Sequence, residues 1–464
     1  MNARIEMLRR RAVETTPEIF PDRARIVTKS YQRTGGLPPV RRRALAFSDL
    51  LHQMDICLAD GELIVGSYAG RPRGWQVYPE YGIKFIIDEM DELDKRVSDR
   101  FVISEKTKAE LRQIWQYWDG NTLSDTAWEL FLPQDREAST DTLFLLTPLR
   151  CGVGHMIVDY PLCIRKGVRG VLDEIKALRE NLDPCAPDYT DRLLFYDAAT
   201  TCLEAVVVFA RRFASAAEEQ ARREGDSERA RELREIAKIC MRVPEHPAQS
   251  FHEALQSFWF LHLSLHLEAS GHSISPGRFD QYMYPFYKRD LESGTLTRQR
   301  AQELLEALWV KFFELNKVRD KVTTTAFGGY PMFQNLIVGG QDSRGRSVVN
   351  ELSYLCMDAT ASLRLPQPSL SARWFYGCPD AFLKRALEVI ALGGGMPALF
   401  NDEALIPNML QMGYSLDEAR DYAIVGCTET VGQGNVEPWL TGGFVNALKA
   451  IELAIFNGYD PACQ

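Results

Sequence analysis

Apolar residues recur every three or four positions among charged ones along most of this chain, which is the spacing of one face of an α-helix. This pattern predicts helical regions at residues 41–54, 82–118, 167–241, 248–268, 297–315, 350–363, 380–392 and 415–422. Shorter apolar runs bounded by glycine or proline predict strands in LADGELIVGSYAG (58–70), NLIVGG (335–340), SLSARW (369–374) and ALFND (398–402). Short strands separated by helices favour a helix-rich α/β fold in which the strand ends carry function.

The composition excludes several classes of function. With 464 residues, 45% of them hydrophobic, the chain can bury a large core. Its 54 Lys and Arg against 63 Asp and Glu give a net charge of −9 without a long basic tract, so nucleic acid is not an expected partner. The N-terminus does not resemble a signal peptide and no run reaches roughly 18 apolar residues, so we expect a cytoplasmic location. The ten cysteines show no CxxC spacing, which argues against zinc and disulfides.

The stretch AIVGCTETVGQGN (423–435) places a thiol and a carboxylate at the end of a buried strand. Side chains two residues apart on an extended segment point the same way, so Cys427 and Glu429 are predicted to face one small volume. A nucleophilic cysteine needs a cationic neighbour to lower its pKa, and a carboxylate does the opposite. A thiol that stays protonated beside a base is suited to giving up a hydrogen atom. The alternative is an ordinary buried cysteine beside a capping glutamate, because C-x-E is short and common.

Six segments in order along the chain resemble glycyl radical enzymes of the pyruvate formate-lyase family. They are RARIVTKSYQRTGGLPPVRRRALAF (23–47), CGVGHMIVDYPLCIRKGVRGVLDEI (151–175), GHSISPGRFDQYMYPFY (271–287), NLIVGGQDSRGRSVVNELSYLCMDA (335–359), PQPSLSARW (366–374) and ARDYAIVGCTET (419–430). The resemblance implies a helix-wrapped, ten-stranded barrel made of two antiparallel five-stranded half-barrels, with the cysteine loop reaching into its middle. It also implies that a backbone glycyl radical takes hydrogen from Cys427, and that the thiyl then takes hydrogen from the substrate.

The resemblance assigns roles to further residues of this sequence. Glu429 corresponds to the acid–base group of dehydratase-like members, whereas Gly426 stands where pyruvate formate-lyase itself has a second cysteine, so thiolytic C–C cleavage is disfavoured. His155, Ser273 and Ser275 fall where relatives bind substrate, and which serine faces the pocket stays open.

A further substrate-binding position departs from the family pattern. Thr441 stands where diol-dehydrating members tend to carry aspartate, which puts a glycerol or propanediol substrate in doubt and leaves arylacetate decarboxylation open.

Four other polar residues are interpreted as structural. Arg278 and Asp280 are expected to form a salt bridge. His262 and His266 have the i,i+4 spacing of metal ligands, but they lie in an aromatic helix, so no metal is predicted.

The end of the sequence departs furthest from the family pattern. The resemblance implies that residues 1–464 are a pyruvate formate-lyase domain that stops before the second half-barrel is complete, and that the glycine radical domain is absent. Gly458 and Tyr459 lack the preceding Arg-Val of the radical motif. The chain alone is therefore expected to be inactive.

The resemblance also implies the partners and the reaction. The expected partners are a glycine-bearing segment or subunit, a radical S-adenosylmethionine iron–sulfur activating enzyme and a second copy in a homodimer, with no cofactor bound. The favoured function is a C–O or C–X eliminase. The alternatives are an arylacetate decarboxylase, a formate acetyltransferase-like C–C lyase and a non-catalytic scaffold.

Overall fold

A computed structural model of the chain describes residues 2–140, 143–146, 152, 154–435 and 443–461. Helices make up most of these residues, and the strands between them are three to six residues long. A large apolar core runs through the helical part, and a smaller one, which includes Ile337, Tyr422 and Ile424, lies under the cysteine stretch.

More than half of the described helices lie in or overlap the predicted amphipathic regions, and the others lie outside them. The first half contains α1 (Ala3–Glu14), α2 (Asp22–Arg33), α3 (Pro39–Gln53), α4 (Pro79–Gly82), α5 (Lys84–Glu89), α6 (Glu105–Trp118), α7 (Leu123–Leu130), α8 (Pro133–Thr140), α9 (Tyr160–Glu180), α10 (Tyr189–Arg223) and α11 (Ser227–Arg242). The second half contains α12 (Phe251–Ala269), α13 (Phe279–Glu292), α14 (Arg298–Glu314), α15 (Lys321–Ala326), α16 (Glu351–Leu363), α17 (Asp380–Val389), α18 (Asp402–Gln411), α19 (Leu416–Arg420) and α20 (Ala447–Ile455).

Five segments lie side by side in parallel and form what we call the parallel array. Residues 155–156 bridge residues 273–277, which bridge the strand Asn335–Gly339; this strand pairs with Ser369–Trp374, which pairs with Ala398–Asn401. Every residue of Asn335–Gly339 is buried, as expected for a central parallel strand covered on both faces. The array has the five members of the half-barrel that the sequence resemblance implies, although its first two members are too short to count as strands.

The remaining strands form three pairs. Glu18–Phe20 lies parallel to Gly74–Gln76, and Phe144–Leu146 lies antiparallel to Gly443–Val445. Tyr422–Val425 and Glu429–Gly432 form an antiparallel hairpin, which we call the cysteine hairpin, with Gly426, Cys427 and Thr428 in its turn.

Two predicted elements were wrong. The predicted strand within residues 58–70 pairs with no strand in the part of the chain that the structure describes. There the side chain of Gln256 accepts from the N–H of Val65 at 2.9 Å and donates to the carbonyl of Val65 at 2.7 Å. The side-chain amide of a helix residue thus provides the hydrogen bonds that a neighbouring strand would provide. The predicted helix at 415–422 stops at Arg420, because the apolar residues from Tyr422 onward are buried as a strand.

Among the described residues, α10 is the one helix long and apolar enough to cross a membrane by length and composition. Phe209 and Phe213 of this helix are fully buried and pack against Phe260 of α12. These contacts are those of a core helix in a folded globular chain.

A buried ion pair joins the array to the cysteine hairpin. Arg373 donates through Nε and Nη2 to the two oxygens of Asp402 at 2.9 and 2.8 Å, and both side chains are fully buried. Arg373 also donates to the carbonyl of Tyr422 at 3.0 Å, and the Tyr422 hydroxyl donates to Asp402 at 2.7 Å. The base of the hairpin therefore depends on one carboxylate.

Replacing that carboxylate should destabilise the chain strongly. Asp402→Ala leaves the Arg373 guanidinium buried without its partner, which costs about 3–5 kcal/mol. The matched control is Asp49→Ala, which removes an ion pair to the exposed Arg33 and should cost under about 1 kcal/mol. Urea unfolding of the three proteins measures both free energies. Equal losses in the two variants would contradict a structural role for the buried pair.

Candidate functional site

Cys427 lies in the turn of the cysteine hairpin, and its side chain is exposed in the described part of the chain. The turn begins at Gly426, whose φ of +64° lies in the left-handed region that glycine adopts without strain. Cys427 and Thr428 are therefore not on an extended segment, and the alternation argument that predicted their geometry was wrong. The exposure of the thiol also differs from the enclosed position that the resemblance implies.

The Glu429 carboxylate nevertheless lies beside Cys427, because it folds back onto the turn. Its Oε2 accepts hydrogen bonds from the backbone N–H groups of Cys427 and Thr428, both at 3.0 Å. The carboxylate thus accepts from two N–H groups that have no partner in the hydrogen-bond ladder of the hairpin. The carboxylate therefore lies against the backbone of Cys427, and the cause is a capped turn.

His155 approaches the other oxygen of the same carboxylate. Its Nε2 lies 3.6 Å from Oε1 of Glu429, and the residue is only 4% exposed. Gly154 allows this placement, because a Cβ there would lie 2.3 Å from the carbonyl oxygen of His272. His155 also has a positive φ of +49°, a conformation that is uncommon for a residue with a side chain and is often found at functional sites.

The protonation states of Cys427 and Glu429 are not those of a cysteine nucleophile activated by a base. Half-burial raises the pKa of Glu429, but the contact with His155 and the backbone N–H groups outweigh it and bring the pKa to about 2. Desolvation raises the pKa of the Cys427 thiol, and the charge of Glu429 raises it further. At neutral pH the site therefore holds an ionised carboxylate beside a protonated thiol.

The two predicted serines have different surroundings. Ser273 is fully buried with a φ of +65°, and its hydroxyl has no hydrogen-bond partner among the described residues. The Ser275 hydroxyl accepts from the backbone N–H groups of Asn335 at 3.1 Å and Gly426 at 3.3 Å. Ser273 is therefore the serine with a hydroxyl available to a ligand, whereas Ser275 binds the backbone.

Gly426 lies at the centre of these groups. A Cβ on this residue would lie 2.9 Å from Oε2 of Glu429, 3.0 Å from Cδ2 of His155 and 3.0 Å from the hydroxyl of Ser273. The structure thus brings together four of the residues singled out in the sequence, Cys427, Glu429, His155 and Ser273. Thr441 lies outside the described residues.

Sequence reasoning missed His272. Its ring lies 4.8 Å from that of His155 in an edge-to-face arrangement. Burial lowers the pKa of His272 well below its usual value, and Lys317 and His155 lower it further, so this imidazole is neutral. The sequence GHS did contain a signal for His272, because this histidine directly precedes Ser273, which was predicted to bind substrate.

The other polar residues are structural, as expected. Arg278 pairs with Asp421, not with Asp280 as predicted; Asp280 accepts from the N–H of Gly339 at 2.8 Å and from Ser353 at 2.5 Å. These contacts tie the end of the central strand to α16.

The histidine pair of α12 also has a structural explanation. His262 contacts Tyr160 at 2.8 Å and Gln334 at 2.9 Å, and the described residues contain no group of three side chains able to hold a metal.

Comparison with known proteins gives matches along the whole chain. A family model described as "Pyruvate formate lyase-like" matches residues 1–464. The chain is 35% identical over 450 residues to "Probable dehydratase YbiW" of Escherichia coli (strain K12), which covers 96% of this chain and 56% of that protein. It is 32% identical over 466 residues to (2S)-3-sulfopropanediol dehydratase of Klebsiella oxytoca, which covers 98% of this chain and 56% of that protein.

A solved structure extends the likeness to three dimensions. The glycerol-bound, B12-independent glycerol dehydratase from Clostridium butyricum matches with a TM-score of 0.97 and 42% identity, over 100% of this chain and 59% of that one. The predicted fold class is confirmed by this match. The chain spans little more than half the length of the relatives it matches.

Gly426→Ala should destabilise the chain by more than the backbone strain alone. A left-handed alanine costs roughly 1–2 kcal/mol, and here its Cβ also meets Glu429, His155 and Ser273. Gly120→Ala is the matched control, because Gly120 has a φ of +72° with nothing within 4 Å of a Cβ. Urea unfolding should give a larger loss of free energy for Gly426→Ala. If the two losses were equal, the crowding around Gly426 would be refuted.

Proposed function

This chain belongs to the pyruvate formate lyase-like family, and on that premise we propose that it acts in a glycyl radical lyase. The reaction is the elimination of a small group, as in a dehydratase, from a small polar molecule. The observation that carries the proposal is the Glu429 carboxylate bound to the N–H groups of the Cys427 turn, where its charge raises the pKa of the neighbouring thiol. A thiol that keeps its proton can give up a hydrogen atom, while the carboxylate next to it accepts a proton.

The substrate carries a hydroxyl on one carbon and a leaving group on the next. Cys427 gives its S–H hydrogen atom to a backbone glycyl radical, and the resulting thiyl takes the hydrogen atom from the hydroxyl-bearing carbon. Glu429 accepts the hydroxyl proton, and the ketyl that forms expels the leaving group as an anion, which moves the radical to the second carbon. Cys427 returns its hydrogen atom to that carbon, and the proton on Glu429 passes to the anion.

His155 and Ser273 are proposed to bind the substrate beside Glu429. Contact with the His155 imidazole keeps the carboxylate ionised and oriented, and the Ser273 hydroxyl has no hydrogen-bond partner among the described residues. Thr441 is proposed as a further substrate contact on the strength of the sequence alone. The hydroxyl of Ser275, the other serine predicted to bind substrate, accepts hydrogen bonds from backbone N–H groups. These contacts favour Ser273 as the serine that binds the substrate.

The proposed partners follow from the exposed position of the thiol. Transfer of a hydrogen atom requires contact between donor and acceptor, and Cys427 is accessible in the described part of the chain. We assign the acceptor to a glycine-radical segment or subunit, generated by a radical S-adenosylmethionine iron–sulfur enzyme. A homodimer in the cytoplasm is the proposed assembly. No resident metal is part of the proposal.

The reaction can be tested anaerobically with the activating enzyme, S-adenosylmethionine and a glycine-radical segment supplied with the chain. The substrate panel contains diols, hydroxyproline, choline, isethionate and arylacetates. We expect elimination from one of the hydroxyl-bearing compounds. Cys427→Ser should abolish turnover while the glycyl radical signal in electron paramagnetic resonance remains. Glu429→Gln should lower the rate roughly 10²- to 10⁴-fold, the usual effect of losing an acid–base group.

Cys185→Ser is the control, because Cys185 is also exposed but lies between α9 and α10. It should turn over at the unsubstituted rate. Full activity in both Cys427→Ser and Glu429→Gln would contradict the proposed roles. A radical signal without consumption of any compound would instead favour a non-catalytic binding protein, and release of carbon dioxide from arylacetates would favour a decarboxylase.

A further inference from the structure

We propose that Ser275 and Asn335 are positioning residues, which hold the Gly426 peptide from both sides and thereby keep the Cys427 thiol and the Glu429 carboxylate together. The catalytic consequence rests on the proposed function, whereas the geometry does not. The two residues come from neighbouring members of the parallel array, and both are far from the cysteine hairpin in sequence. Their contacts with Gly426 are therefore long-range features of the fold.

Ser275 holds the N–H side of Gly426. Its hydroxyl accepts from the N–H of Gly426 at 3.3 Å and from the N–H of Asn335 at 3.1 Å, and it donates to the carbonyl of Ser273 at 3.3 Å. The carbonyl of Phe333, at 3.5 Å, is a second and more distant acceptor for the same proton. A hydroxyl has two acceptor lone pairs and one proton, so these contacts use its full capacity. The side chain is fully buried and connects three separate segments at one oxygen atom.

Asn335 holds the carbonyl side of Gly426. Its Nδ2 donates to the carbonyl of Gly426 at 3.2 Å, and the residue is 3% exposed. The backbone N–H of Asn335 is bound to the Ser275 hydroxyl, so the two positioning residues also fix each other. An unpaired carbonyl is strongly unfavourable in this buried place, so the hydrogen bond from Asn335 stabilises the Gly426 peptide.

The two contacts matter because Gly426 is a glycine. A glycine has more backbone freedom than any other residue, and the direction in which the chain enters Cys427 depends on its φ and ψ. Hydrogen bonds to its N–H and its carbonyl restrict both angles. With φ held at +64°, the N–H groups of Cys427 and Thr428 point at Oε2 of Glu429. If either contact is lost, the turn can rotate and the carboxylate loses its donors.

The test uses the unactivated chain and measures how the alkylation of Cys427 by iodoacetamide depends on pH, with mass spectrometry of the Cys427 peptide. The thiolate is the reacting species, and the nearby carboxylate opposes its formation. Ser275→Ala and Asn335→Leu should shift the profile to lower pH, with alkylation at pH 8 at least about twofold faster. Asn335→Leu keeps the approximate shape of the side chain and removes the donor without adding a charge near the thiol. Ser275→Thr, which retains the hydroxyl, should restore the unsubstituted profile.

Ser371→Ala is the matched control, because Ser371 is a fully buried serine on the next strand whose hydroxyl has no partner among the described residues. It should leave the profile unchanged. The proposal is overturned if Ser275→Ala and Asn335→Leu, shown to be folded by circular dichroism, alkylate like the unsubstituted chain. If Ser275→Ala does not fold, Asn335→Leu alone decides. In the activated enzyme both variants should lower kcat and leave KM unchanged. If kcat does not fall although the alkylation profile shifts, the proposed function is refuted and the positioning role stands.

Discussion

The carboxylate of Glu429 binds the backbone of the turn that carries Cys427, and this contact links the local fold to the chemistry. Two N–H groups of the turn have no partner in the hairpin ladder, and Oε2 of Glu429 accepts from both. The same negative charge opposes ionisation of the thiol, so one side chain both shapes the turn and sets the protonation state of its neighbour. A change that removes the carboxylate would therefore alter the structure and the reactivity together.

The parallel array holds the cysteine hairpin through side chains from four of its members and from the residue that directly follows the fifth. His155 contacts Glu429, Ser275 and Asn335 bind Gly426, Arg373 binds Tyr422, and Asp402, directly after the fifth member, binds Tyr422 as well. The central strand of the array, Asn335–Gly339, is buried throughout, and the cysteine hairpin lies against the array. Function is thereby carried by a turn whose position is determined by long-range contacts.

Much of the fold could be predicted from the sequence, because amphipathic helices such as Phe251–Ala269 and buried strands such as Asn335–Gly339 have strong local patterns. The segment around Val65 could not, since its hydrogen-bond partner is the distant amide of Gln256. The site was predictable only in part. Cys427 and Glu429 are neighbours in sequence, but His155 and Ser273 reach them through the fold, and only the family resemblance indicated them. That resemblance is confirmed by the matches along the chain.

The proposed hydrogen-atom chemistry requires that the folded chain keep the Cys427 thiol protonated. The direct measurement is the pH profile of Cys427 alkylation in the native chain and in the same chain unfolded in urea, followed at the Cys427 peptide. Because partial desolvation and the charge of Glu429 both raise the pKa of the native thiol, the native profile should lie at higher pH than the unfolded one. A native profile at the same or lower pH would identify an activated thiolate and contradict the hydrogen-atom chemistry.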